Sequence, residues 1–122
     1  MKLRIKGNSL RLRLSRTEVT KLSAIGYMED HTIFGDNILT YSLQTGHNST
    51  VLSATLVKNK ITVKIPASFV KDWADNNIVG FNNKQELTAK DSLFILVEKD
   101  FVCLDETTED QSDNYENPNK AC

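Results

Sequence analysis

The sequence predicts an α+β protein, a mostly antiparallel sheet curled toward an open barrel with two short helices on it. Three observations predict it. Residues 10–22, LRLRLSRTEVTKL, pass from an alternating strand pattern directly into a helical one. Residues 61–73, ITVKIPASFVKDW, align with them without a gap, setting Leu10, Leu12, Leu14, Val19 and Leu22 opposite Ile61, Val63, Ile65, Val70 and Trp73. Turn signals at Gly7-Asn8, Gly35-Asp36-Asn37, Gly46-His47-Asn48-Ser49 and Lys58-Asn59-Lys60 divide the intervening chain into short strands. The aligned stretches predict two pseudo-repeated strand–helix–strand–strand units, at about residues 1–45 and 51–98, with an extra leading strand.

Taken in order, Leu3 and Ile5 alternate with Lys2, Arg4 and Lys6, a period of two that marks a strand with one buried face. Gly7-Asn8 turns it antiparallel against a second strand, residues 10–14. Ser15 and Glu18 form an S-x-x-E capping box, and Leu14 and Val19 sit where a hydrophobic staple brings them together. Val19, Leu22 and Ile25 then follow at helical spacing until Gly26, so the first helix spans residues 16–25. Strands follow at 27–34, 38–44, 51–57 and 61–65. Pro66 stands in place of the capping serine, where its missing N–H is not needed. The second helix covers about residues 67–75, with Trp73 as its anchor on the sheet. A short apolar piece at 78–81 precedes a polar loop, and residues 93–97, LFILV, read as a fully buried central strand.

A chain of 122 residues allows one modest core, assigned to residues 1–104. Residues 105–122 are too poor in apolar side chains to offset their ordering entropy and are read as an acidic, disordered tail, in which Tyr115 is the residue able to dock on the domain. The net charge of −1 points by itself to neither a nucleic acid nor a membrane. Its distribution is uneven. Residues 1–21 carry seven basic groups against Glu18, and residues 105–122 carry six acids against Lys120. With no apolar leader at the N-terminus and no apolar run long enough to span a bilayer, a cytoplasmic protein is expected. Cys103 and Cys122 make no disulfide framework, and Cys103 reads as a packed small residue.

The most suggestive chemistry is a comb of cations. If Leu3 and Ile5 face the core, Lys2, Arg4 and Lys6 share the opposite face, with Arg11 and Arg13 on the hairpin partner and Lys64 at the position equivalent to Arg13. Five cations on one sheet face can hold phosphate or carboxylate oxygens, the arginines by bidentate contacts; the plainer alternative is a solvated outer face. His31 and His47, even with the two cysteines, have no metal-ligand spacing, so neither metal nor cofactor is expected. No nucleophile elbow, P-loop or dinucleotide fingerprint occurs, and no catalytic residue is assigned.

The opening MKLRIKGNSLRLRLS, with LVEKDFVCL near the end, resembles a family of small bacterial proteins described only as a domain of unknown function, a likeness that implies no activity. The duplicated strand–helix–strand–strand order is similar to the CYTH or triphosphate-tunnel family, whose barrel binds triphosphates and divalent metal through an E-x-E-x-K motif. Lys2-Leu3-Arg4-Ile5-Lys6 puts bases where that motif needs glutamates, so the likeness implies anion binding alone. Lys6-Gly7-Asn8-Ser9 before an alternating strand resembles the opening of MazE/AbrB-type antitoxin domains, which implies DNA binding with an acidic partner-binding tail.

The leading expectation is a non-enzymatic module that takes an anionic small molecule or an acidic protein segment on the hairpin, through Lys2, Arg4, Lys6, Arg11 and Arg13 with Lys64. Alternatives are an antitoxin-type DNA-binding regulator and a degenerate tunnel phosphohydrolase with Glu98 or Asp100 replacing the missing acids.

Overall fold

The computed structural model describes residues 1–101 and 113–115. Alternation settles the first hairpin. In β2 (Ser9–Leu14) Leu10, Leu12 and Leu14 are buried while Ser9, Arg11 and Arg13 are half-exposed. β1 (Lys2–Ile5) pairs antiparallel with it, Lys2 opposite Arg13 and Arg4 opposite Arg11. The capping box then starts α1 (Arg16–Ile25): the Glu18 N–H donates to Ser15 Oγ at 3.3 Å, and the Ser15 N–H to Glu18 Oε1 at 2.9 Å. Val19 and Leu22 bury its inner face. Gly26 ends it at φ 82° with its N–H on the Leu22 carbonyl, and a Cβ there would meet Thr45 Oγ1 at 2.8 Å. Any other residue is opposed by both conformation and space.

β3 (Tyr27–Phe34) and β4 (Asn37–Gly46) form the second hairpin, and β5 (Ser53–Val57) and β6 (Lys60–Pro66) the third, turned at Lys58 and Asn59, both with positive φ. Then come α2 (Ala67–Val70), a 3-10 turn (Trp73–Asp75), β7 (Gly80–Glu86) and β8 (Ser92–Lys99).

The strands make two four-stranded sheets, in the orders β1-β2-β8-β7 and β3-β4-β6-β5. Each half of the chain sends one hairpin to each sheet. The halves join at the parallel pairs β2–β8 and β4–β6, while the four hairpin pairs are antiparallel. The class is therefore α+β, with antiparallel pairs in the majority. The single curled sheet expected from the pattern is instead two sheets, and among the described residues they close no barrel. One core joins them: Leu12 and Val97 from the first and Leu43 and Val63 from the second are fully buried together with Leu22 and Trp73. Strand direction sets the ends. β2 runs into α1 and β6 into α2, and β8 and β4 lie parallel to them, so both helices cover one end. The turns at Gly7-Asn8 and Lys58-Asn59 lie at the other.

Three local expectations change. The second helix, expected over 67–75, breaks after Val70 and resumes as the 3-10 turn; it has no side-chain cap, and Trp73 is held instead by its Nε1–H on the Ile78 carbonyl at 2.7 Å and an edge-on contact with Phe81. The expected polar loop after 81 is strand β7. Its inward Asn83 and Gln85 act as surrogate backbone. Gln85 Oε1 accepts from the Ala54 N–H at 2.7 Å, its Nε2 donates to the Ala54 carbonyl at 3.1 Å, and Asn83 Nδ2 donates to the Leu52 carbonyl at 2.7 Å. β8 is central, as expected, but not buried on both faces: Ile95, Val97 and Lys99 point inward, while Phe94 stays exposed. Cys103 and Cys122, with tail residues 105–112 and 116–122, lie outside the described residues.

Candidate anion-binding site

Register builds the site. The outer face of the first sheet reads across its strands as Lys2–Arg13–Glu98–Gly80 and, one row on, Arg4–Arg11–Leu96–Asn82. Like charges placed directly opposite in a ladder repel unless something neutralises them. Glu98 does so for two of them: its Oε1 lies 2.9 Å from Arg13 Nε and 3.4 Å from Arg11 Nε. Gly80 leaves the room, since a Cβ there would stand 2.8 Å from that of Glu98. Asp100, buried at the end of β8, takes Lys2 Nζ at 2.9 Å.

The comb is thereby split. Among the described residues no carboxylate pairs with Arg4 or Lys6, which are exposed at the turn end. These two, with Ser9 and Arg11, border a hollow of about 200 Å³ floored by Phe94 and Leu96. The turn beneath it is pinned to β8, the Phe94 N–H donating to the Asn8 carbonyl at 3.1 Å and Asn8 Nδ2 to the Ser92 carbonyl at 2.5 Å. Ser9 Oγ donates to the Lys6 carbonyl at 2.6 Å. A preset pair of cations over a partly apolar floor suits an oxyanion, with Arg4 able to grip two oxygens while Arg11 beside it is shared with Glu98.

Lys64 does not join the comb. It lies on β6 in the second sheet, on the face opposite the buried Val63 and Ile65. All six cations expected at the site are thus placed: Arg4 and Lys6 together with Arg11, which Glu98 also reaches; Lys2 and Arg13 tied to acids one row away; and Lys64 on another sheet. The comb faces outward, so the inward-pointing tunnel arrangement is not formed. Sequence reasoning missed Ser9 and Phe94 as neighbours of the cations and Glu98 as their neutraliser. Only the parallel β2–β8 register reveals them.

A second ionisable cluster lies at the helix end. Lys99 is 2% exposed. Its Nζ donates to the Asn76 carbonyl at 2.7 Å and lies 4.7 Å from the Tyr115 ring centre and 5.8 Å from that of Trp73. Burial, then the nearby Arg16 charge, lowers its pKa below the usual lysine value, with Asp75 opposing. Residues 113–115 close the cluster from outside. The Tyr115 N–H donates to the Asp100 carbonyl at 2.8 Å, the Arg16 N–H to the Asp113 carbonyl at 2.9 Å, and Thr17 Oγ1 to Asp113 Oδ1 at 3.0 Å. Hydrogen bonds from Ser15 and then Thr17 hold the Asp113 carboxyl below its ordinary pKa. The Tyr115 hydroxyl is buried with no hydrogen-bond partner among the described residues, and burial raises its pKa.

Fold and site together define an α+β protein of two mixed sheets with a cationic hairpin on its outer face. A family model described as a family of unknown function, DUF7009, matches residues 1–119, and the chain belongs to that family. No curated protein and no solved structure matches it. Among the described residues no helix is long and apolar enough to cross a membrane.

Proposed function

We propose that this protein is a non-enzymatic binding module, working in the cytoplasm, that takes an anionic partner at the turn end of its basic hairpin. The observation that carries the reading is the pair Arg4 and Lys6, uncompensated among the described residues, beside Arg11 around one hollow, while Lys2, Arg11 and Arg13 are neutralised by Asp100 and Glu98. A surface selected only for solubility has no reason to concentrate its unpaired cations over an apolar floor.

A thermal-shift series tests it, with tripolyphosphate, nucleoside triphosphates and short duplex DNA, each at low and moderate salt. A ligand of the folded state raises the melting temperature by mass action. The reading requires a salt-sensitive rise with at least one anion class that disappears in Arg4→Glu and survives in Lys64→Glu. A rise only with duplex DNA, growing with its length, would replace this reading with the DNA-binding one. Phosphate release from tripolyphosphate dependent on added divalent ion would replace it with a hydrolase.

A further inference from the structure

The edge of β1 carries a more specific conclusion, resting on the anionic-partner reading above. The Lys6 N–H donates to the Ser9 carbonyl at 3.2 Å, making these a hydrogen-bonded pair of the hairpin. Hydrogen-bonded pairs alternate along an antiparallel ladder, so Arg4/Arg11 and Lys2/Arg13 are the next two. The N–H and C=O groups of Leu3 and Ile5 therefore point away from β2, along the free edge of the sheet. At the seam between the edge strands β5 and β7, the outward N–H and C=O of Ala54 and the carbonyl of Leu52 are taken by the Gln85 and Asn83 amides. At β1 the corresponding seam is held at Met1: its ammonium binds Glu18 and Asp30, and its carbonyl accepts from Tyr41 Oη at 3.4 Å. From Leu3 to Ile5 no hydrogen bond to the second sheet occurs among the described residues.

Beside this edge, at the end of the core away from the helices, lies an apolar groove of about 320 Å³. Ile5, Leu10, Leu56, Ile61, Leu87 and Leu93 line it, drawn from both sheets. Ile5 and Leu56 are more than half exposed there. The volume falls at the small end of the range of about 300–1,000 Å³ typical of ligand pockets. Arg4 and Lys6 stand on the opposite face of the same edge.

We propose that β1 accepts an added strand from a partner protein, an extended segment in which acidic and apolar residues alternate. A strand laid along β1 takes the outward groups of Leu3 and Ile5 as hydrogen-bond partners. Its side chains then alternate between two faces. Those beside Ile5 enter the apolar groove, and those beside Arg4 and Lys6 meet the unpaired cations. All three features are used by one occupant without bending it. The charges also select it. A second copy of β1 would bring Lys2, Arg4 and Lys6 against themselves, as charged edge strands do to prevent self-pairing, whereas an acidic strand is drawn in.

The test uses the full chain and a capped peptide, Glu-Val-Glu-Ile-Glu-Val-Glu, at concentrations where it is monomeric. Binding is followed by fluorescence anisotropy and amide hydrogen exchange. Saturable binding is expected, with the Leu3 and Ile5 amides newly protected and affinity about tenfold weaker in Arg4→Glu. Ile5→Pro removes an N–H that β2 does not use, so it leaves the hairpin ladder intact. It should abolish peptide binding, keep tripolyphosphate binding, and contrast with Ile5→Ala, which retains the donor. A peptide N-methylated at alternate residues must fail to bind on the methylated edge. Equal binding of methylated and unmethylated peptides, or no protection at Leu3 and Ile5, overturns strand addition while Arg4-dependent tripolyphosphate binding upholds the anion reading. Binding of neither peptide nor tripolyphosphate overturns both.

Discussion

Arg13 Nε and Glu98 Oε1 lie 2.9 Å apart across the parallel β2–β8 pair, and the same oxygen is 3.4 Å from Arg11. One carboxylate thus withholds two guanidinium groups from any ligand of the sheet face. Glu98→Gln keeps the shape and releases the charge. Tripolyphosphate or the acidic strand should then bind about three- to tenfold more tightly, by calorimetric titration at fixed salt. The stability loss should stay near 0.2–1 kcal/mol, because both arginines are more than a third exposed and already solvated. Unchanged affinity would show that the ligand does not reach the Arg11 row.

Lys99 sets a different dependence, on pH. Its folded-state pKa is lowered by burial and by Arg16, so the charged form is disfavoured in the folded protein. Below that pKa the full penalty of a buried charge is present. Between it and the ordinary 10.5 the unfolded chain binds more protons than the folded one, and stability rises with pH. Urea unfolding across this alkaline window should therefore show the wild type gaining on Lys99→Met as pH rises. Parallel curves for the two proteins would mean that Lys99 is not titrating differently in the two states.

Tyr115 offers a paired substitution. Its ring packs edge-on to Phe101 at 5.9 Å and lies under Arg16 at 4.8 Å, but its buried hydroxyl has no partner among the described residues. A buried unsatisfied group costs about 1–3 kcal/mol. Tyr115→Phe should accordingly be neutral or stabilising by about 1 kcal/mol, while Tyr115→Ala should lose about 3 kcal/mol by opening a cavity over Lys99. Urea midpoints at constant slope distinguish these. A clear loss in Tyr115→Phe would place a bonding partner at the hydroxyl.

Much of this architecture was legible where one physical signal dominates. Alternation gave β1 and β2, and the Ser15–Glu18 box with Gly26 gave both ends of α1, because each is a local rule that tertiary contacts reinforce. β7 was invisible beyond Phe81 because its next inward positions are Asn83 and Gln85, which bond the backbone of Leu52 and Ala54 rather than bury apolar surface, so no hydrophobic period continues the strand. The division into two sheets was not legible either: the joining pairs β2–β8 and β4–β6 are parallel, and β2 and β8 are far apart in the chain. The cations of the site were all named from alternation. Which of them remain unpaired depended on Glu98 and Asp100, whose position is a matter of that long-range register. A buried Lys99 could not be anticipated, since it ends a strand whose apolar run already stops at Val97.

Asp113 decides how residues 113–115 respond to acid. Its carboxylate accepts from Thr17 Oγ1 at 3.0 Å and from the Thr17 N–H at 3.4 Å, in the first turn of α1, where a negative charge is favoured by the helix dipole. With its folded pKa held below 3.8 by Ser15 and Thr17, its contribution is fully present above that value and is lost as pH falls through the depressed one. The Tyr115 ring resonances in a proton NMR titration should therefore hold their folded positions from neutral pH down past 4 and move toward free-tyrosine positions only below. In Asp113→Ala they should already be shifted at neutral pH, while those of Trp73, anchored by its own bond to Ile78, stay in place. If the Tyr115 signals of the variant match the wild type, the aromatic packing and the bond to Asp100 alone hold the segment, and Asp113 serves only α1.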